Sequence, residues 1–146
     1  MTTQSPILLV EDNAQDEMLI LRALKKINVA NGVDVVRDGQ QALDYLFGEG
    51  EFAARAGAPL PAVVLLDIGL PRLSGLEVLA ALRARPQTRL MPVVILTSSD
   101  EDRDRHSSYE NGANSFVRKP LEFGEFAETV ARLGAYWVLT NQPPNA

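Results

Sequence analysis

Five side chains stand where apolar runs of this sequence end: Glu11 and Asp12 after Ile7-Leu8-Leu9-Val10, Asp67 after Val63-Val64-Leu65-Leu66, Thr97 after Val93-Val94-Ile95-Leu96, and Lys119 after Ser115-Phe116-Val117-Arg118. Their types suit phosphoryl transfer. A carboxylate is a nucleophile for phosphorus, a lysine supplies a mobile point charge, and a threonine hydroxyl donates to a phosphoryl oxygen. Three carboxylates in one pocket oppose each other's ionisation. A divalent cation relieves that, and an all-oxygen set without His or Cys favours a hard ion, Mg²⁺ or Mn²⁺. Each piece alone has a plainer reading. Glu11-Asp12 also fits a solvated strand end, and Thr97 an ordinary turn or helix-capping hydroxyl.

These residues meet only if the elements bring their ends together. Ile7–Val10, Val33–Val36, Val63–Leu66, Val93–Leu96 and Ser115–Val117 read as strands. A run that is apolar on both faces, such as Val63–Leu66, suits a strand buried on both sides, as in a parallel sheet. Gly69 and Pro71 then break it. Helices are expected over Ala14–Ile27, Gln40–Phe47, Ser74–Arg85, Asp100–Glu110 and Glu122–Leu139, with turns at Asn31-Gly32 and Asn111-Gly112 and a frayed tail from Asn141. The segment from Gly48 to Ala62 reads as a long loop with one helical turn. Alternating strand and helix implies a doubly wound parallel (βα)5 sheet with right-handed crossovers. Sites in such folds lie beyond the carboxyl ends of the strands, at the switch point. In the order 2-1-3-4-5, strands one and three are neighbours, and Glu11, Asp12 and Asp67 crowd one pocket. Asp16, Asp38 and Asp44 read as surface or capping residues, and His106, the single histidine, as solvated.

The chain has 146 residues, 46% of them apolar, which suits one domain with a real core. A net charge of −5 argues against nonspecific nucleic-acid binding. The absence of cysteine removes thiol catalysis and disulfides. No signal peptide or membrane-spanning run is present. The expectation is one soluble cytoplasmic domain, without an output domain.

Val10-Glu11-Asp12-Asn13, Leu66-Asp67 with Leu70-Pro71 and Gly75, Leu96-Thr97-Ser98-Ser99 and Lys119-Pro120 together resemble the receiver domain of bacterial two-component response regulators, from about Ile7 to Leu139. The resemblance implies the flavodoxin-like fold already reached from periodicity. It implies that Glu11 and Asp12 bind metal, with the backbone carbonyl of Gly69, and that Asp67 is phosphorylated by a partner histidine kinase. It implies that Thr97 is the switch hydroxyl, Phe116 the aromatic switch, Lys119 the phosphate-pairing lysine and Lys119-Pro120 a cis peptide. For Phe116 a simple core role competes evenly. Two positions depart from the pattern. Gly69 and Ser99, each two residues past a site residue, are small, which leaves the lifetime of the phosphorylated state open. The long Gly48–Ala62 loop, Asp44-Tyr45-Leu46 and the extended last helix are similar to the small regulators that partner bacterial phytochromes. That likeness implies a homodimer, with Tyr136, Trp137 and Leu139 as contact candidates; Trp137 packed on its own domain is the competing reading.

The leading function is thus a phosphorylation-switched module, not an enzyme beyond weak self-phosphorylation and dephosphorylation. Its output is binding to a kinase, a histidine phosphotransfer protein or an effector. An aspartate-nucleophile phosphohydrolase commonly uses an acid two residues after the nucleophile, where this chain has Gly69. A nucleotide-binding domain wants a glycine-rich turn after the first strand, where this chain has Glu11-Asp12-Asn13-Ala14. A phosphorylation-independent scaffold of the same fold has no use for the intact set of five.

Overall fold

The computed structural model describes residues 5–27, 32–98, 101–119 and 122–142. Strands β1 (Ile7–Val10), β2 (Val33–Val36), β3 (Val63–Leu66), β4 (Val93–Thr97) and β5 (Ser115–Arg118) alternate with helices α1 (Ala14–Lys25), α2 (Gly39–Phe47), α3 (Gly75–Ala84), α4 (Asp102–Glu110) and α5 (Phe123–Ala135). The strands form one parallel sheet in the order β2-β1-β3-β4-β5. The flavodoxin-like fold expected from the alternation is therefore observed.

Pleating divides the core into two layers. Leu8, Val10, Val64, Leu66, Val93 and Ile95 pack with Ala42, Tyr45 and Leu46 of α2 and Val78, Leu79 and Leu82 of α3. Ile7, Leu9, Val63, Leu65, Val94 and Leu96 pack with Ile20, Ala23 and Leu24 of α1 and Phe126 and Val130 of α5. Successive strand residues point to opposite faces, so near-continuous apolar strands are what two covered faces require. Most of these side chains are fully buried, and each such burial contributes about 1.5–3 kcal/mol.

Helix starts follow local capping. The Asn13 side chain accepts from Asp16 N–H at 2.9 Å, and Asp38 accepts from Gln41 N–H at 2.8 Å, which starts α2 one residue earlier than the periodicity indicates. Ser74 and Glu77 form a reciprocal capping box at the start of α3.

Two segments are more structured than the sequence suggests. Within 48–62 a 3₁₀ helix, Gly50–Arg55, lies against α2. There the Phe52 ring meets Tyr45 edge-on with centroids 5.4 Å apart, and the Arg55 guanidinium sits 3.7 Å from the Tyr45 ring centroid. The Tyr45 hydroxyl donates to Asp34 Oδ2 at 2.5 Å, tying α2 to β2. At the other end, α5 stops at Ala135 and continues as a π-helical turn, Tyr136–Thr140, closed by Asn141 N–H donating to Tyr136 O. Trp137 and Val138 pack against the α1/α5 layer, whereas Tyr136 and Leu139 are exposed. The Lys119-Pro120 peptide, Asn31, Ser99, Asp100 and the end of the tail lie outside the described residues.

Candidate phosphoacceptor site

The sheet's own ladder positions the site. Val10 is in register with Leu66, so β1 and β3 end flush and Glu11 and Asp67 emerge side by side. Backbone hydrogen bonding continues one step past the strands. Glu11 N–H donates to Val36 O at 3.1 Å, Asp67 N–H to Val10 O at 3.2 Å and Lys119 N–H to Thr97 O at 2.7 Å. Three site residues therefore have their main chains held by the neighbouring strand. Pleat phase then sorts their side chains. Glu11, Asp67 and Lys119 follow the alternation of Leu9, Leu65 and Val117, all in the α1/α5 layer. Thr97 follows Val93 and Ile95 onto the other face, the layer against which Phe116 also packs.

The turn after β3 depends on one close approach. Gly75 N–H donates to Ile68 O at 2.8 Å, and a Cβ at Gly75 would lie 2.1 Å from the Asp67 carbonyl oxygen. Only glycine lets the start of α3 come down on the backbone beneath Asp67. A Cβ at Gly69 would meet nothing within 4 Å, so that position faces open space. Gly69 N–H lies 3.5 Å from Asp67 Oδ1, at the limit of a hydrogen bond.

Glu11, Asp12 and Asp67 each present a carboxylate oxygen, and these oxygens lie within 4.8 Å of one another. Asp12 is exposed, Asp67 partly buried and Glu11 only 1% exposed. The Lys119 ammonium, also buried, bonds Glu11 Oε1 at 2.5 Å and stands 3.6 Å from Asp67 Oδ2. The other oxygen of Glu11 accepts from Asn13 N–H at 3.3 Å. Burial pushes the Glu11 carboxyl up to about 7, with the Asp67 charge adding to it and Lys119 opposing it. Burial alone lowers the ammonium's pKa. Its hydrogen bonds to Asp16 and Glu11, with the Asp67 charge, outweigh that and hold Lys119 above the usual lysine range.

One residue of this cluster escaped the sequence reading. Asp16, assigned there to the surface or a cap, places Oδ2 at 2.8 Å from Lys119 Nζ. Its charge reaches the site because α1 covers the face on which Glu11 and Lys119 emerge. Pleat parity, with Asp16 in the first turn of α1 four residues past Asp12, was the available signal. Asp38 does cap α2, and Asp44 accepts from Gln40 Nε2 on the surface. His106 pairs with Glu110 at 2.8 Å in the open. Thr97 is buried at the end of β4, and Phe116 is partly buried, its N–H donating to the Tyr109 hydroxyl at 3.2 Å.

Fold and site define a class: the chain belongs to the response regulator receiver domain family, which it matches over residues 7–131. Among particular relatives it is 42% identical over 139 residues to the probable methanogenesis regulatory protein FilR2 of Methanothrix harundinacea, covering 94% of this chain and 86% of that one. It is 34% identical over 140 residues to the response regulator Rcp1 of Synechocystis, covering 96% and 93%. A solved Mn²⁺-bound form of Rcp1 superposes with a TM-score of 0.88, covering 96% of this chain and 99% of that one at 33% identity. The phosphorylated cyanobacterial phytochrome response regulator RcpA superposes at 0.90 with 36% identity, covering 98% and 100%. The bacteriophytochrome response regulator RtBRR is 51% identical with a TM-score of 0.77, covering 98% and 86%. The narrower likeness to phytochrome-associated regulators is thus matched among its relatives.

Proposed function

We propose that this chain is a response regulator that accepts a phosphoryl group on Asp67 from a sensor histidine kinase and relays the change through its binding surface. The observation that carries this reading is the convergence of three carboxylates within 4.8 Å beside a lysine 3.6 Å from Asp67. An Asp67 carboxylate oxygen attacks phosphorus, a P–O bond forms, the P–N bond of phosphohistidine breaks, and the imidazole nitrogen takes a proton. In hydrolysis, water attacks phosphorus, the acyl P–O bond breaks, the proton leaves with inorganic phosphate, and the carboxylate returns. Two residues of this chain have direct work in both steps. Lys119 pairs with the phosphoryl oxygens, and Thr97 donates its hydroxyl to one of them as the switch, with Phe116 following it inward.

The donor set fits a hard divalent ion, because its atoms are all oxygen and Glu11 otherwise carries a raised pKa. Glu11, Asp12, Asp67 and the Gly69 carbonyl would hold Mg²⁺ or Mn²⁺, which when bound neutralises charge on the transferring phosphoryl group. Solved structures named as phytochrome or bacteriophytochrome response regulators support a bacteriophytochrome kinase as the donor, with a histidine phosphotransfer protein as a further exchange partner.

Incubation with acetyl phosphate and Mg²⁺, followed by intact mass, tests the reading. A phosphate adduct on the wild type that Asp67→Asn lacks supports it; an unmodified wild type refutes it. The homodimer belongs to the same reading, with exposed Tyr136 and Leu139 as its contacts and half-buried Trp137 behind them. Light scattering should give a dimer mass that Leu139→Glu halves; a wild type monomeric at high concentration ends that part.

A further inference from the structure

Lys119 has three ammonium protons and three carboxylates around it, but the distances are unequal. Glu11 Oε1 stands at 2.5 Å and Asp16 Oδ2 at 2.8 Å, whereas Asp67 Oδ2 at 3.6 Å is beyond a hydrogen bond. The lysine is thus hydrogen-bonded by the two acids that flank the phosphoacceptor and only ion-paired, at longer range, with the phosphoacceptor itself.

The two holders differ in freedom. Glu11 is fully buried, and its second oxygen is engaged by Asn13 N–H. Asp16 has a side chain 28% exposed, so water can take over when its bond is broken. Its place in α1 gives its carboxylate no local duty. Asp16 is the third residue after the cap, where a Glu or Gln side chain commonly returns to the cap amide. Here that amide goes to Glu11 Oε2, the Asp16 amide goes to Asn13, and the Asp16 carboxylate turns across to β5's end.

We infer that Asp16 is a positioning residue that tethers Lys119 away from Asp67 until a phosphoryl group arrives. The inference rests on Asp67 being the phosphoacceptor. A phosphoryl group on Asp67 offers Lys119 a doubly charged partner. The third ammonium proton can turn to it, but to close up on it the ammonium must lengthen its bonds to the two holders, and Asp16 is the holder that water can replace. Asp16 therefore sets how much phosphodonor is needed to drive the site, and its release frees the first turn of α1 from β5 whenever Asp67 is modified.

The test is phosphorylation of the full chain by acetyl phosphate at varied concentration, with Mg²⁺ saturating, in Asp16→Asn, Asp16→Glu and Glu17→Gln. Glu17 lies in the same helical turn and pairs with Arg37 at 2.9 Å, so its variant removes a neighbouring charge without touching Lys119. Asp16→Asn should lower the half-saturating donor concentration about tenfold, the ratio that roughly one charge-assisted hydrogen bond sets. Its maximal rate should stay within about twofold, since the groups at phosphorus are intact. Asp16→Glu and Glu17→Gln should behave as wild type. Asp16→Ser serves the same comparison should the asparagine variant not fold. An unshifted Asp16→Asn, or an equal shift in Glu17→Gln, overturns the tether while a labelled wild type leaves Asp67's role standing. A wild type that takes no phosphoryl group refutes both.

Discussion

Replacing Gly75 with alanine puts a methyl group into backbone. The new Cβ would lie 2.1 Å from the Asp67 carbonyl oxygen, 2.8 Å from Ile68 Cα and 2.9 Å from the Asp67 carbonyl carbon. No rotamer relieves contacts with main-chain atoms, so α3 must withdraw or the β3 turn must deform. Overpacking of this kind costs about 1–3 kcal/mol, and stretching the Gly75-to-Ile68 hydrogen bond adds about 1. The expected loss is therefore about 2–4 kcal/mol. With a urea m-value of about 2 kcal/mol/M, the midpoint falls by about 1–2 M. Gly69→Ala, six residues earlier, is the matched control. Its Cβ meets nothing within 4 Å, so stability should change by less than about 0.5 kcal/mol. Urea melts followed by tryptophan fluorescence of Trp137 read both. Because the strain falls on Asp67's own carbonyl, Gly75→Ala should also lower the rate of acetyl phosphate labelling in the fraction that remains folded. A Gly75→Ala midpoint equal to that of the wild type, or one matched by Gly69→Ala, refutes the close-approach account.

Other expectations follow from the buried charges and one strained residue. The folded Glu11 pKa, about 7, lies above its ordinary value of 4.5. In metal-free protein its protonated form therefore stabilises the fold fully below about pH 4.5, and that stability is lost as pH rises through about 7. Melts in EDTA should show the wild type losing on the order of 3 kcal/mol from pH 4 to 8 relative to Glu11→Gln, and Mg²⁺ should restore more at pH 8 than at pH 5; parallel profiles would falsify the assignment. Lys119→Met leaves Glu11 and Asp16 without their shared cation, so it should cost about 3 kcal/mol at pH 8 and less at pH 5, where Glu11 is neutral, as chemical denaturation at both pH values will show. Arg72, in the turn between β3 and α3, has φ of +69°, so Arg72→Gly should gain roughly 0.5–1 kcal/mol by calorimetry; a loss of stability would contradict the strain.

Much of this was legible in the chain, for reasons that differ by residue. Val63–Leu66 announces a doubly covered strand because parallel strands need apolar side chains on both faces, and its end must carry the first polar group. The same logic placed Glu11, Thr97 and Lys119. Asp16 was not legible from its neighbours, because its role comes from which face α1 covers and from a lysine 103 positions away. The clasp of Tyr45, Phe52 and Arg55 was hidden for a similar reason: glycines and prolines signal a loop, while the contacts that order it are tertiary. At the end of α5 the helical stripe correctly ran on to Trp137, but periodicity gave no sign that the last turn widens to π geometry. Nor does amphipathic spacing tell a side chain packed on its own core from one reserved for a partner, which is why Trp137, Tyr136 and Leu139 look alike in sequence and separate in space.

The ladder bonds that hold Glu11, Asp67 and Lys119 give the site two tiers of mobility. The Asp67 amide proton is held between the inner strands β3 and β1, and those of Glu11 and Lys119 at the pairings with the outer strands β2 and β5, so each exchanges with solvent only when its own strand pair parts. The side chains above those amides are under no such lock. The Lys119 ammonium can trade one oxygen for another without a single backbone hydrogen bond breaking. Amide exchange at Asp67 should therefore stay slow in every chemical state of its side chain, and a change of state will be felt in the helices around the sheet while its inner strands remain still.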